Sequence, residues 1–480
     1  MYQDEVTSLL PAEEKYSPRK NGSNVRLYFS CSIVLLGAFT CGTMIGMTSS
    51  MIPGIQNNTA PPLIKMNKQQ ASWLAAILTL SGLVGGVLSG YITQYLGRKY
   101  TSVVSSLPFI AGLLIMYFSN YLWMLFVGRI LTGFGLGVIS FVVPIYIGEV
   151  STSKLRGMLG SGNQLCIVTG ILYIYGMGSF LNWRMLTLSA LPAPTLLFLF
   201  SFIIPETPRF LIMKKRNIEA KEVLQWLRGD VDIKEEYFEL EKSLSCDVEF
   251  ASWPEVITDR TLRTPMLLSL AAMYFQQMSG INCVMFYAKS IFHSAGFVTS
   301  SQLTMALLVV ASVQVIFTFV SCLIVDCIGR KLSIIVAAAL MSISLIAFGL
   351  YYQITSNYQW HNVAKTGITS PNLNWLALTS MTIFIASYSV GIGPIAWLLV
   401  GEIIPVRARE RAAALSTGFN FFLVFILTLE FSNMISAMTS QGTFWFFGAN
   451  CILSIVFTVV WLPETNGRSL EEIEDYFRRK

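Results

Sequence analysis

Apolar residues fill this chain in runs of about twenty, parted by short polar stretches, and these runs set its architecture. Twelve can be drawn, near 27–50, 72–95, 101–119, 122–146, 158–179, 184–204, 266–292, 303–325, 332–353, 375–399, 412–436 and 442–462. Each approaches the ~20 residues that carry a helix across the hydrocarbon core of a bilayer. The pattern predicts an all-α membrane protein with twelve transmembrane helices.

One run breaks its own rule. Between Tyr274 and Tyr287, inside the seventh apolar stretch, stand Gln276, Gln277 and Asn282, with Ser279 and Gly280 among them. A side-chain amide inside lipid is costly unless it has a partner or a use. On a straight helix, advancing about 100° per residue, these three amides point in different directions. Gly280 offers a break that could turn them toward one cavity. Uncharged groups that both donate and accept suit a neutral ligand covered in hydroxyls, whereas an ion path calls for charge. The plainer alternative is that they are interhelical bonds worth about 0.6 kcal/mol each.

Composition agrees with the pattern and narrows the chemistry. The 480 residues are 54% hydrophobic and only 12% charged, with a mean hydropathy of +0.59. Such a balance excludes a soluble globular domain. The eight cysteines are scattered, mostly within apolar runs, and form neither a disulfide framework nor a metal site. No paired carboxylates, activated nucleophile or phosphate loop suggests an enzyme, and no cofactor or metal is expected.

The formal charge of +6 is informative through its distribution, and it implies no nucleic-acid partner. Arg98, Lys99, Lys154, Arg156, Arg330, Lys331, Arg407, Arg409 and Arg411 fall in loops on one side, together with the charged segment 205–263. By the positive-inside rule both termini and that segment are cytoplasmic. This divides the chain into a tail (1–26), a first six-helix half (27–204), a cytoplasmic linker (205–263), a second half (264–462) and a tail (463–480). No cleavable signal peptide is expected, since a polar, basic lead-in precedes the first apolar run. Asn57-Asn-Thr59 is a glycosylation sequon in the first outer loop. Glu5, Leu9 and Leu10 have the form of an acidic dileucine, an address for a sorting adaptor.

The halves repeat motifs in the same order. Gly97-Arg-Lys99 recurs as Gly329-Arg-Lys331, Gly148-Glu149 with Arg156 as Gly401-Glu402 with Arg409, and Pro205-Glu-Thr207 as Pro463-Glu-Thr465. Three pairs in register argue for duplication and for alternating access around a midplane site. With Gly128-Arg129, Pro144 to Glu149, Gln276-Gln-Met-Ser-Gly-Ile-Asn282 and Gly393-Pro-Ile-Ala-Trp397, the chain resembles the sugar porter branch of the major facilitator superfamily over about residues 27–475. It is most similar there to animal facilitative hexose transporters and insect trehalose transporters.

The resemblance implies the major facilitator fold, two six-helix halves with nested inverted repeats, acting as a monomer in the bilayer. It implies a sugar held by Gln164, Gln276, Gln277, Asn282, Trp397 and Asn420, with Trp397 facing the C–H-rich side of the ring. Arg98, Arg129, Glu149, Arg156, Asp326, Arg330, Glu402 and Arg409 are expected at cytoplasmic helix ends. There they would form an ion-pair latch between the halves in the outward-facing state. Three departures stand out: Gln94 where an aspartate is usual, Ser389 for a common acidic residue, and Ala396 for the proline before Trp397.

Proton coupling needs a titrating group that changes access, and the first span contains no Asp, Glu or His. That favours uniport of a sugar such as glucose or trehalose. Glu430 keeps a proton-coupled sugar or polyol symporter open if it is buried. A transporter-like sensor is a third reading, although only about eighteen residues follow the last span. The plasma membrane is the expected site, with the late endosome or lysosome as the alternative that the dileucine allows.

Overall fold

The computed structural model describes residues 24–56, 64–152, 155–229, 232–245, 252–362, 373–405, 407–465, 472 and 477. The first half comprises α1 (Val25–Gln56), α2 (Lys68–Tyr117), α3 (Leu122–Val150), α4 (Arg156–Phe180), α5 (Trp183–Ser189) and α6 (Pro192–Phe200). Four short helices follow: α7 (Pro208–Met213), α8 (Asn217–Arg228), α9 (Lys234–Ser245) and α10 (Trp253–Thr258). The second half comprises α11 (Arg260–Met278), α12 (Ile281–Ser294), α13 (Ser300–Ile328), α14 (Arg330–Asn362), α15 (Asn374–Val390), α16 (Ile392–Ile403) and α17 (Arg409–Val460).

These elements resolve into twelve crossings. At 1.5 Å per residue, the 50 residues of α2 and the 52 of α17 are each about twice as long as a bilayer is thick. Both bend back on themselves, α2 at Gly97 (φ 85°) and α17 at Thr439 (φ 63°). Three crossings are instead broken, into α5 and α6, α11 and α12, and α15 and α16. Gly97 and its repeat partner Gly329 fall at the turns on the face where Arg98, Lys99, Arg330 and Lys331 gather, called the basic face below.

Glycine lets helices of one half approach closely, as van der Waals packing within a membrane requires. A Cβ on Gly137 of α3 would stand 2.0 Å from the carbonyl oxygen of Gly82 on α2. Helices α7, α8 and α9 share a small core of Leu211, Ala220, Leu224 and Tyr237, with α7 and α8 against the first half, while α10 packs on α11. Arg228 pairs with Glu236 at 2.6 Å and donates to the carbonyl of Val150 at 2.9 Å, closing the end of α3. Arg26 lies 5.5 Å from the Trp226 ring, which fastens the start of α1 to α8.

At the face opposite the basic one the halves touch directly. Ser72 donates to Ser432 at 3.1 Å, the backbone N–H of Lys289 to the Ser49 hydroxyl at 2.9 Å, and the Tyr175 hydroxyl to the carbonyl of Met285 at 2.7 Å. Toward the basic face, among the described residues, a Cβ on Gly148, Gly157, Gly160 or Gly401 would meet open space.

Candidate functional site

Gly280 does what its place in the apolar run predicts. It takes a left-handed conformation (φ 83°, ψ 7°) between α11 and α12, where a Cβ would meet the Phe447 ring at 2.6 Å. The break brings the three amides of that run into one chain. Asn282 Nδ2 donates to Gln277 Oε1 at 2.5 Å, Gln277 Nε2 to Gln276 Oε1 at 3.4 Å, and Gln276 Nε2 to the carbonyl of Gly393 at 2.8 Å. Asn420 on α17 joins them, with Nδ2 2.8 Å from Gln276 Oε1.

Four of the six expected ligand residues therefore form a single hydrogen-bonded group spanning α11, α12, α16 and α17. Gln276, Gln277 and Asn420 are buried, at 1%, 3% and 5% exposure. Unpaired amides at that depth would each lose the desolvation cost of a polar group, about 1–3 kcal/mol. Paired with one another, they form a polar centre whose groups can exchange partners with hydroxyls. Trp397 follows Gly393 by one helical turn and is 42% exposed. Gln164 lies half-buried on α4, in the other half, and makes no hydrogen bond to this group.

The sequence reading missed Gln314. It is 4% exposed on α13, and its Oε1 is buried without a hydrogen-bond partner. The rule that singled out Gln276 applies to it equally: it is the one glutamine in the apolar run 303–325.

The expected latch divides into two networks, one inside each half. Arg98 pairs with Glu149 at 2.7 Å, and Arg330 with Glu402 at 3.0 Å. Thr207 donates to the second oxygen of Glu149 at 2.6 Å and Thr465 to that of Glu402 at 2.7 Å. Glu206 accepts from the backbone N–H of Arg98 and Lys99, and Glu464 from those of Arg330 and Lys331. Lys99 caps the carbonyl of Phe202, and Lys331 that of Val459. Burial pushes the Glu206 carboxyl above the usual carboxylate range, against the N–H donors of Thr207, Arg98 and Lys99 and the charge of Arg98, which pull it down. Neither pair bridges the halves here. Glu206 and Glu464, used in the sequence only as markers of duplication, turn out to be central to each network.

Arg129 is a correction. It does not sit at the basic face but seven residues into α3 from the opposite end, about 30 Å along the helix from Glu149. It is fully buried and donates to the carbonyl of Met44 at 3.2 Å and the Thr48 hydroxyl at 2.9 Å, both on α1. The resemblance grouped it with the charges of the cytoplasmic helix ends, but a long cation can equally serve as an interior tie between helices. Ser389 donates back to Ile385 of its own helix.

Glu430 is exposed and accepts from Asn433 at 2.8 Å, so the buried carboxylate that a coupled mechanism needed is not found at that position. We expect Glu430→Gln to leave uptake, and its response to a proton gradient, within about twofold of the unaltered chain, since an exposed group exchanges protons with one side only. A larger change, measured in reconstituted vesicles, would contradict the exposed placement. Glu5, Leu9, Leu10 and Asn57 lie outside the described residues, as do the side chains of Arg156, Asp326 and Arg409.

Comparison with known proteins meets this geometry from another direction. The family model "Sugar (and other) transporter" matches residues 22–477. The chain is 36% identical over 483 residues to the facilitated glucose transporter member 8 of solute carrier family 2 from Mus musculus, covering 98% of each. It is 36% identical over 468 residues to a facilitated trehalose transporter from Polypedilum vanderplanki, covering 96% of this chain and 90% of that one. Among solved structures, the xylose transporter XylE of E. coli in a partially occluded inward open conformation superposes with a TM-score of 0.76. The identity there is 22%, covering 92% of this chain and 99% of that one.

Proposed function

This chain belongs to the sugar porter family of the major facilitator superfamily, and from that premise we propose that it carries a neutral sugar, glucose or trehalose, by facilitated diffusion. It is a sugar transporter and not an enzyme. The observation that carries the finer reading is the amide group of Gln276, Gln277, Asn282 and Asn420. It is uncharged, bonded to itself, and able to trade those bonds for hydroxyl groups. Trp397 supplies the apolar face for the ring and Gln164 the contact from the first half. In this reading the basic face is cytoplasmic, the structure faces inward, and the contacts at Ser72, Ser49 and Tyr175 are the closed outer gate.

Uniport rests on what surrounds the only buried cation of the outer region described above. Arg129 is held by a carbonyl and a hydroxyl, neither of which titrates near neutrality. Helix α1 contains no acid that could exchange a proton with it, and Glu430 is exposed. The separate networks at Arg98 and Arg330 support a role as rigid corners of each half that meet across the interface when the cytoplasmic side closes.

The test is uptake of labelled glucose and labelled trehalose into proteoliposomes, with and without an inward proton gradient. We expect saturable uptake of one sugar without the gradient, lowered about tenfold by Gln277→Ala through loss of its bonds to Gln276 and Asn282. Uptake that appears only with the gradient would overturn uniport. Failure to carry either sugar would overturn the choice of substrate.

A further inference from the structure

The break between α15 and α16 leaves a carbonyl that the helix cannot satisfy. Pro394 has no N–H to return to the carbonyl of Val390, four residues back. A polar group left bare inside a membrane bundle costs free energy, so an outside donor is required. The donor is Ser321 on α13, 2% exposed, whose hydroxyl lies 3.1 Å from the Val390 oxygen. On its other side the break is wedged by α14, since a Cβ on Gly391 would stand 2.2 Å from that of Ala337.

Beyond the break, α16 is held differently. Its first turn is fastened through the Gly393 carbonyl to Gln276, a member of the amide group, at 2.8 Å. Behind α16 lies an apolar cavity lined by Ile392, Ala396 and Leu399 of the helix itself, with Ala272, Phe275 and Phe457. Ala396 adds no second proline to stiffen this segment. The half-helix thus has a fixed end and a fastening that a sugar hydroxyl can displace.

We propose that Ser321 is a positioning residue that pins the α15–α16 hinge by holding the Val390 carbonyl, so that α16 with Trp397 pivots about this point when sugar takes Gln276 from Gly393. The pin keeps the upper half-helix still while the lower one turns. Losing it lets the break wander, which slows the transit step without changing the groups that touch the sugar. The transport part of this inference rests on the carrier reading above; the structural part does not.

Both parts can be tested on the full chain with Ser321→Ala, Ser321→Thr, Pro394→Ala and the double variant Ser321→Ala with Pro394→Ala. In proteoliposomes, Ser321→Ala is expected to lower maximal uptake about fivefold with half-saturation within about twofold, and Ser321→Thr to restore it. In thermal unfolding, Ser321→Ala should lower the midpoint by about 2 °C. It should lower it no further in the Pro394→Ala background, where the new N–H at 394 serves Val390 instead. Additive losses in that cycle would overturn the pin, and so would unaltered maximal uptake, a loss expressed mainly in half-saturation, or no rescue by threonine. A wild-type chain that carries neither sugar would refute the carrier reading and leave the unfolding cycle to decide the pin alone.

Discussion

Replacing Gln276 with alanine is expected to lower transport efficiency, the initial uptake rate per unit of sugar at low concentration, by about thirty- to a hundredfold. Gln276 is the hub of the amide group, donating to Gly393 and accepting from both Gln277 and Asn420. Alanine takes the Gln276 donor from the Gly393 carbonyl and leaves the Asn420 amide only the Met273 sulfur, 3.2 Å away, in a place where Gln276 itself is 1% exposed. Two such buried losses represent about 2–3 kcal/mol. Gln276→Glu should be at least as severe, because it keeps an acceptor, removes the donor to Gly393 and buries a charge. Gln277, which reaches the hub only through a 3.4 Å bond and otherwise accepts from Asn282, should matter less. An efficiency within about threefold of the unaltered chain, in protein shown to be folded, would mean that this group packs helices and does not hold substrate.

Gly97→Ala is expected to destabilise the fold by about 3 kcal/mol or more, enough that little intact protein survives extraction into detergent. Gly97 has φ 85°, where an L side chain costs about 1–2 kcal/mol. A Cβ there would also stand 2.2 Å from Glu206 Oε2 and 2.8 Å from the Phe210 ring. Relief would require moving the carboxylate off the N–H groups of Arg98 and Lys99, so strain and lost hydrogen bonds add. The repeat offers an internal control. Gly329 has φ 93°, but its nearest neighbour, Glu464 Oε2, is 3.1 Å away, so Gly329→Ala should cost only about 1–2 kcal/mol. Equal unfolding midpoints for the two variants would show that the crowding at Gly97 is relaxed by the chain and that backbone conformation alone sets the effect.

These two expectations mark different depths of legibility. The glycine of each Gly-Arg-Lys repeat announces itself in the sequence, whereas its contact with the Glu-Thr repeat further on came from the structure. The hub role of Gln276 does not. Sequence brought Gln276, Gln277 and Asn282 together only through the break at Gly280, and gave no rank among them. Rank came from Gly393 and Asn420, residues more than a hundred positions away. Arg129 shows the opposite failure: the motif was visible, yet the charged set it was grouped with suggested the wrong end of the helix.

What the sequence by itself determined is the membrane class, the twelve crossings, the duplication and the polar residues that lipid would not tolerate without cause. Those properties are local or periodic, because a bilayer imposes its length and its polarity on each helix separately. Only the tertiary structure decided which partners the polar groups take. It divided the expected latch into one network per half, put Glu430 in the open and left Arg129 inside with neutral partners. It also gave Ser321 the carbonyl that Pro394 abandons. Hydrogen bonds between helices depend on their packing and rotation about their axes, and that arrangement emerges only when all the helices pack at once.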